Sequence, residues 1–308
     1  MRLSGATKGV SIEQMCFVRV VFACAEDGHM KPRILPPLTL LLLIPVGRSD
    51  AQQSLDSKQA EVTVWTRLKI MTSADVQTVM AKARGGDAEA QCWVGYVYAE
   101  GRLVPKDAEE AAHWFLKSAE QGYPRAQRLY GLMSVPINPS VGERWMLRAA
   151  EQGDAEAQFW LGFAYEENWF GTTDVKEAVK WYQQAAESGN PDAQAALGQK
   201  YELGEGVDQS FKLAAEWYRR AAEHVPNLGG AGQGRNGLGL LYMKGRGVPQ
   251  DYAQAYFWFR LGGPEENTAD ARAHLTLAQI QETDRLVTEW KERHRVSPDV
   301  AASLHIEN

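Results

Sequence analysis

Cysteine is scarce in this chain, with three in 308 residues, so a disulfide framework is excluded as the source of its stability. Histidine is scarce as well: His113, His224, His274, His294 and His305 stand apart, with no His or Cys partner at ligand spacing, and no metal site is expected. There is no block of Lys and Arg. With 33 basic against 39 acidic residues the formal charge is −6, which gives no footprint for a phosphate backbone, and nucleic acid is not an expected partner. Nucleophile elbows, Walker loops and zinc-protease motifs are missing too, and no catalytic residue or cofactor is implied. Acidic pairs such as Glu109-Glu110 and Glu166-Glu167 fall near helix ends, where solvated charge accounts for them.

Long apolar runs are also lacking. The longest, Ile34 to Val46, has 13 residues, short of the about 20 needed to cross a bilayer, so insertion of the mature chain in a membrane is not expected. It reads instead as the core of a signal peptide. Met30 offers a better start than Met1, Lys31 and Arg33 form a positive n-region, and Ser49-Asp50-Ala51 ends the segment with small residues. Residues 1–51 are therefore expected to be a signal peptide with an over-extended start, and the destination to be the periplasm, with secretion as the alternative. Cleavage after Ala51 would take six basic and four acidic residues from the totals, leaving 27 against 35 and a net charge of −8. Cys92 would be the one thiol left, so helix packing must hold the mature chain together.

What the chain has is a rhythm. Trp114, Trp145, Trp181, Trp217 and Trp258 are separated by 31, 36, 36 and 41 residues, a period that denotes stacked helical units. Around each indole the apolar positions recur at helical spacing, as in Ala178, Trp181, Tyr182, Ala185 and Ala186, which mark a wide buried stripe. A preceding helix carries Ala-Gln, Leu-Gly and Tyr elements, as in Ala193-Gln194, Leu197-Gly198 and Tyr201. Glycine inside a helix costs about 0.5–1 kcal/mol relative to alanine, so its return at Gly95, Gly131, Gly162, Gly198 and Gly239 predicts close approach of the partner helix. Between the two helices lie Gly204-Glu205-Gly206-Val207 or Gly245-Arg246-Gly247-Val248-Pro249.

These elements, in this order, resemble the Sel1-like repeat, a relative of the tetratricopeptide repeat with a longer first loop, over about residues 74 to 263. The resemblance implies an all-α fold, a right-handed α-solenoid superhelix of antiparallel helix pairs. It also implies an adaptor that holds a protein or peptide segment and is not an enzyme, since members of the family help assemble membrane-associated or exported complexes, including regulators of envelope signalling and polysaccharide production. One disulfide-rich branch is linked to penicillin-type compounds, and this chain lacks its paired cysteines. The expected organisation is a linker at 52–72, five helix pairs with a leading helix over 73–263, and capping helices with a tail over 264–308. Thr276 and Gln279 predict a capping box, with Leu277, Ile280, Val287 and Trp290 on the buried side of the helix that follows.

The rhythm breaks in three places. Gly to Trp spans 19 residues in four units and 14 from Gly131 to Trp145, so the second unit has lost five residues. Its Ser134-Val135-Pro136-Ile137-Asn138-Pro139 is expected to be an extended connector. In the third unit Asn168, Trp169 and Phe170 replace the loop glycines; the two rings are expected to fold over the adjoining gap, with an exposed anchor for a partner or a glycan as the alternative. Before the fifth unit the interval from Trp217 to Gly239 has grown to 22 residues from 17. It contains Gly232-Gln233-Gly234-Arg235-Asn236-Gly237, a G-x-G-x-x-G match with no strand before it, read as chance within a flexible joint.

On a helical wheel the positions three before, one after and four after each repeat glycine point away from the partner helix, toward the concave side of the stack. They are Cys92, Tyr96 and Ala99; Arg128 and Leu132; Phe159, Phe163 and Glu166; Ala195, Gln199 and Glu202; and Asn236, Leu240 and Met243. Tyr96, Leu132, Phe159, Phe163, Glu166, Gln199 and Leu240 are the expected partner-binding residues. The alternative occupant is the chain's own segment 52–72. A rival function is hydrolysis of a cell-wall or β-lactam-like substrate by acids such as Glu166 and Glu202, and carbohydrate binding through Trp169 and Phe170 is a third.

Overall fold

A cap opens almost every helix. Asp87, Asp107, Asn138, Asp154, Asp174, Asn190, Ser210 and Asp251 each accept a bond from a first-turn amide, which offsets the orphan donors of a helix start. Thr72 and Thr276 go further and form capping boxes with Asp75 and Gln279. The computed structural model describes residues 68, 71–224 and 230–294. Residues 1–51, most of 52–72 and the tail from 295 lie outside them, and so do the expected signal peptide and most of the linker.

Among the described residues there are thirteen helices and no strand: α1 (Ser73–Arg84), α2 (Ala88–Glu100), α3 (Ala108–Glu120), α4 (Pro124–Ser134), α5 (Pro139–Glu151), α6 (Ala155–Glu166), α7 (Val175–Glu187), α8 (Pro191–Leu203), α9 (Phe211–Ala222), α10 (Gly230–Lys244), α11 (Tyr252–Gly262), α12 (Glu265–Ala273) and α13 (Leu277–Arg293). They divide into two compact units, the first ending at Gln152 and the second beginning at Gly153. In the first, α1 to α4 each pack on the next helix in the chain. In the second, α6 to α11 do the same, α8 also meets α10, and α13 returns to α11. This is an all-α repeat fold.

The repeat glycines do what their recurrence predicts. A Cβ at Gly95, Gly162, Gly198 or Gly239 would stand 2.5–2.7 Å from the ring of Phe115, Tyr182, Tyr218 or Phe259, and one at Gly131 would stand 2.7 Å from Met146. In each pair the residue after the tryptophan fills the space left by the missing methyl, so glycine's propensity cost is exchanged for interior packing density. The Ala-Gln element has a different task. Gln91, Gln127 and Gln194 donate from Nε2 to the carbonyls of Ala83, Ala119 and Ala186, at 3.1–3.2 Å. Each buried amide thus closes the last turn of the helix before it, where carbonyls have no intrahelical donor.

Two sequence expectations are corrected. The shortened second unit has no extended connector: α4 runs to Ser134, a tight turn follows in which Asn138 N–H donates to the Ser134 carbonyl at 2.8 Å, and Pro139 opens α5. Pro139 fits there because the first helical position needs no N–H. Nor is the glycine-rich stretch before the fifth unit a flexible joint. It is helical from Gly230, and its glycines are contact points: a Cβ at Gly234 would lie 2.6 Å from that of Ala221, and one at Gly237 2.7 Å from the Tyr218 ring. Close packing on α9 outweighs the low helix propensity of the run. Gly229 lies outside the described residues.

At the far end α13 buries Thr283 and Val287, and Ile280 and Trp290 are half-buried. Leu277 is 69% exposed, against expectation. At 100° per residue it stands about 120° around the helix from Thr283, outside the buried stripe.

Candidate functional site

In the first unit the inner row is sealed. Tyr96 has 0% exposure, with its ring edge-on to Phe115 at 5.4 Å and 5.9 Å from Trp93. Cys92, Ala99 and Arg128 are at 1% or less and Leu132 at 6%. The expectation that Tyr96 and Leu132 line an open face is therefore corrected: both side chains are enclosed.

The second unit differs. Phe159 and Phe163, one turn apart on α6, are half-buried. Their rings lie 6.5 Å apart and join the buried Trp160, 5.2 Å from Phe159 and 5.8 Å from Phe163. Trp169, from the loop after α6, extends the group by stacking on Trp160 at 6.1 Å and 18° and meeting Phe163 edge-on at 5.4 Å. Phe170 leaves the group and packs edge-on to Tyr165 at 5.4 Å. Both loop rings are half-buried. The loop reaches them through Asn168, at φ 59°, which stands in register with Gly101, Gly204 and Gly245; asparagine is among the few non-glycine residues that adopt the left-handed region. The indole N–H of Trp160 is buried with no hydrogen-bond partner.

Glu166 lies beside this group and is fully engaged. It accepts from the Tyr182 hydroxyl at 2.8 Å and from Lys200 Nζ at 2.6 Å, while Lys200 also reaches Glu205 at 2.7 Å. Burial pulls the Lys200 ammonium down, and its bonds to Glu166 and Glu205 more than offset this, so its pKa lies above the ordinary value. Burial, then the Glu166 charge, pushes the Tyr182 phenol well above its usual range. Glu202 accepts from the Tyr218 hydroxyl at 2.9 Å in the same way. Two carboxylates named as candidate acids thus hold neighbouring helices together. Of the remaining row, Gln199 is exposed, Ala195 is buried, and Asn236, Leu240 and Met243 are half-buried, with Leu240 and Met243 packed on the cluster of Tyr256, Phe259 and Ala271.

One residue that ties the fold together has no counterpart among the sequence expectations. Arg235, 1% exposed, takes the place of the repeat glutamine in the fifth unit. It donates to the carbonyls of Ala222 at 2.9 Å, His224 at 2.7 Å and Leu261 at 3.1 Å, and stands 4.8 Å from the Trp290 ring. Burial lowers its pKa to about 10. The register of the Ala-Gln element, shifted by the five added residues, was the available signal.

Among the described residues no group of three or more His, Cys, Asp or Glu converges as a metal site, and no helix is long and apolar enough to cross a membrane.

The sequence profile of the Sel1 repeat matches residues 88–123, 127–154, 155–190, 191–224 and 233–262. Among solved structures, the chain is similar to a protective antigen present in uropathogenic Escherichia coli strains and displaying an SLR fold, at 30% identity and a TM-score of 0.64 over 76% of this chain. The chain spans 51% of that protein's length. It is also similar to a Sel1 repeat protein from Oxalobacter formigenes, at 29% identity and a TM-score of 0.54, over 71% of this chain and 86% of that one. No curated protein matches it significantly. Sel1 repeats commonly mediate protein interactions, and proteins built of them are typically non-enzymatic scaffolds. With five repeats matched over more than half its length, the chain belongs to the Sel1 repeat family.

Proposed function

We propose that the protein is an exported adaptor, working in the periplasm, that holds a segment of an envelope or signalling protein on the inner row of its second unit. The observation that carries this reading is the group formed by Phe159, Phe163 and Trp169 around Trp160, in which three large rings keep part of their surface in water. Half-exposed aromatic side chains that are already held by their neighbours bind at low entropic cost, the property of interface anchors. A polar margin frames them, with Gln199 exposed and Glu166 and Glu202 half-exposed. An amphipathic helix or extended peptide with apolar anchors fits such a surface.

The test is affinity capture from the source cells with the full chain and with Phe163→Ser and Phe159→Ser/Phe163→Ser forms. Loss of the captured protein, with helical circular dichroism retained, supports the reading; unaltered capture by the double variant rejects this surface. Cell fractionation decides the destination, and a cytoplasmic pool alone would reject export. Quenching of tryptophan fluorescence by oligosaccharides, abolished by Trp169→Ala, would replace the protein partner with a glycan. Turnover of a cell-wall or β-lactam-like substrate would replace it with catalysis.

A further inference from the structure

We infer that the segment held by the aromatic row of the second unit is cationic: an amphipathic stretch whose apolar side chains sit among Phe159, Phe163 and Trp169 and whose Lys or Arg side chains lie over those rings and against Glu167. This rests on the reading of that row as the partner surface and adds the chemistry of the partner.

The first ground is what the chain's other half-buried rings carry. Lys117, Arg148 and Arg220 stand over Trp114, Trp145 and Trp217 at 4.4–4.8 Å, each three residues further along the same helix. Those indoles are covered by cations of the chain itself, which the negative face of an aromatic ring attracts. Among the described residues no Lys or Arg stands over Phe159, Phe163 or Trp169.

The second ground is the charge beside these rings. Glu167 follows Phe159 and Phe163 at four-residue steps and its N–H donates to the Phe163 carbonyl at 2.9 Å, so it continues their face of α6. Its carboxylate is exposed. Glu205, also exposed, is drawn in by Lys200, whose ammonium binds Glu166 and Glu205 together and so joins the ends of α6 and α8. From Ala155 to Asp174 and from Pro191 to Ser210 Lys200 is the one basic residue, and it is buried with its charge already matched. The free carbonyls that end α6 and α8 add partial negative charge. A positive segment is attracted here and an acidic one repelled.

The test uses the full chain and three synthetic amphipathic peptides that share one leucine pattern and differ only in their polar residues, which are lysine, glutamine or glutamate. At low salt the lysine peptide should bind about tenfold more tightly than the glutamine peptide, and the glutamate peptide should be the weakest. Phe163→Ser should abolish binding of the lysine peptide with helical circular dichroism retained. Glu167→Lys should weaken it by about fivefold or more, while Glu109→Lys, the same reversal at an exposed position of the first unit, should leave it unchanged. Equal affinities for the lysine and glutamine peptides, both lost in Phe163→Ser, would overturn the cationic partner and leave the surface standing. Failure of the lysine peptide to bind would overturn the inference, as would binding that Glu167→Lys and Glu109→Lys weaken alike, because general charge attraction would then be the cause. Binding that survives Phe163→Ser would overturn both the inference and the surface on which it rests.

Discussion

The third and fourth repeats close the contact between their two helices differently from the fifth. In the former the ring over the repeat glycine is a tyrosine, and its hydroxyl finds a glutamate four residues past that glycine: Tyr182 with Glu166, Tyr218 with Glu202. In the latter the ring is Phe259, and Met243 stands where the glutamate would be. The first repeat agrees with the fifth, pairing Phe115 with Ala99, and the second pairs Met146 with Val135. Hydroxyl and carboxylate thus come and go together. A phenol brought into the joint needs an acceptor, since a buried donor left unmade costs more than the bond contributes when made.

The largest departure from this pattern is Arg235, the charged member of a glutamine series. Arg235→Ala would strip donors from three carbonyls and leave a void, and should cost about 3–5 kcal/mol, read as a lowered urea midpoint. Gln194→Ala removes one bond of the same kind, to Ala186, and a contact with His224 Nε2, and should cost about 1–2 kcal/mol. Equal losses would break the claim that Arg235 serves several helix ends at once.

The tyrosine–glutamate rule can be sharpened by exchange. Phe259→Tyr alone, facing Met243, should destabilise by about 1–3 kcal/mol, and a Phe259→Tyr/Met243→Glu chain should recover most of that. Tyr218→Phe should cost about 1–2 kcal/mol, since it removes a bond to a carboxylate. A double variant no better than Phe259→Tyr would show that the pairing is incidental.

A buried carboxyl in the first repeat links its stability to pH. Burial raises the Glu100 carboxyl from 4.5 to about 7, with Lys106 opposing the shift, and one of its oxygens is buried without a partner. Between these values the folded chain keeps a proton that the unfolded chain has released, so stability falls as pH rises from about 4.5 through 7. Glu100→Gln should flatten that slope and add about 1–2 kcal/mol at pH 8, with little effect at pH 4. Denaturant midpoints measured across this range give the answer. The smallest effect is expected at a cap: Asp251→Ala, at an exposed helix start with two amide bonds, should cost about 1 kcal/mol.

The period of five tryptophans, the five glycines and the stripes around them made the helical pairs legible, because each feature is local and recurs. The Tyr-Glu pairing is legible too, in the covariation of two positions from unit to unit. Less could be read where a residue's role depends on a distant partner. The run from Gly230 to Gly239 carries turn residues by composition, and it folds as a helix because α9 and α11 lie against those same glycines. A helical wheel assigned Tyr96 and Phe163 to one row without revealing that the first is enclosed and the second half-open. Glu166 stands in the expected contact row, and its ties to Tyr182 and Lys200 join residues 16 and 34 positions away.

The glutamine that clasps the end of the preceding helix has an evolutionary corollary. Since each unit carries the fastener for its predecessor, duplicating one unit copies a complete joint, and such an array can lengthen without new chemistry. Arg235 keeps that fastening and adds a second: it holds the end of α9 and, with the same side chain, the carbonyl of Leu261 in the last turn of α11, so one residue ties the helices on both sides of its own.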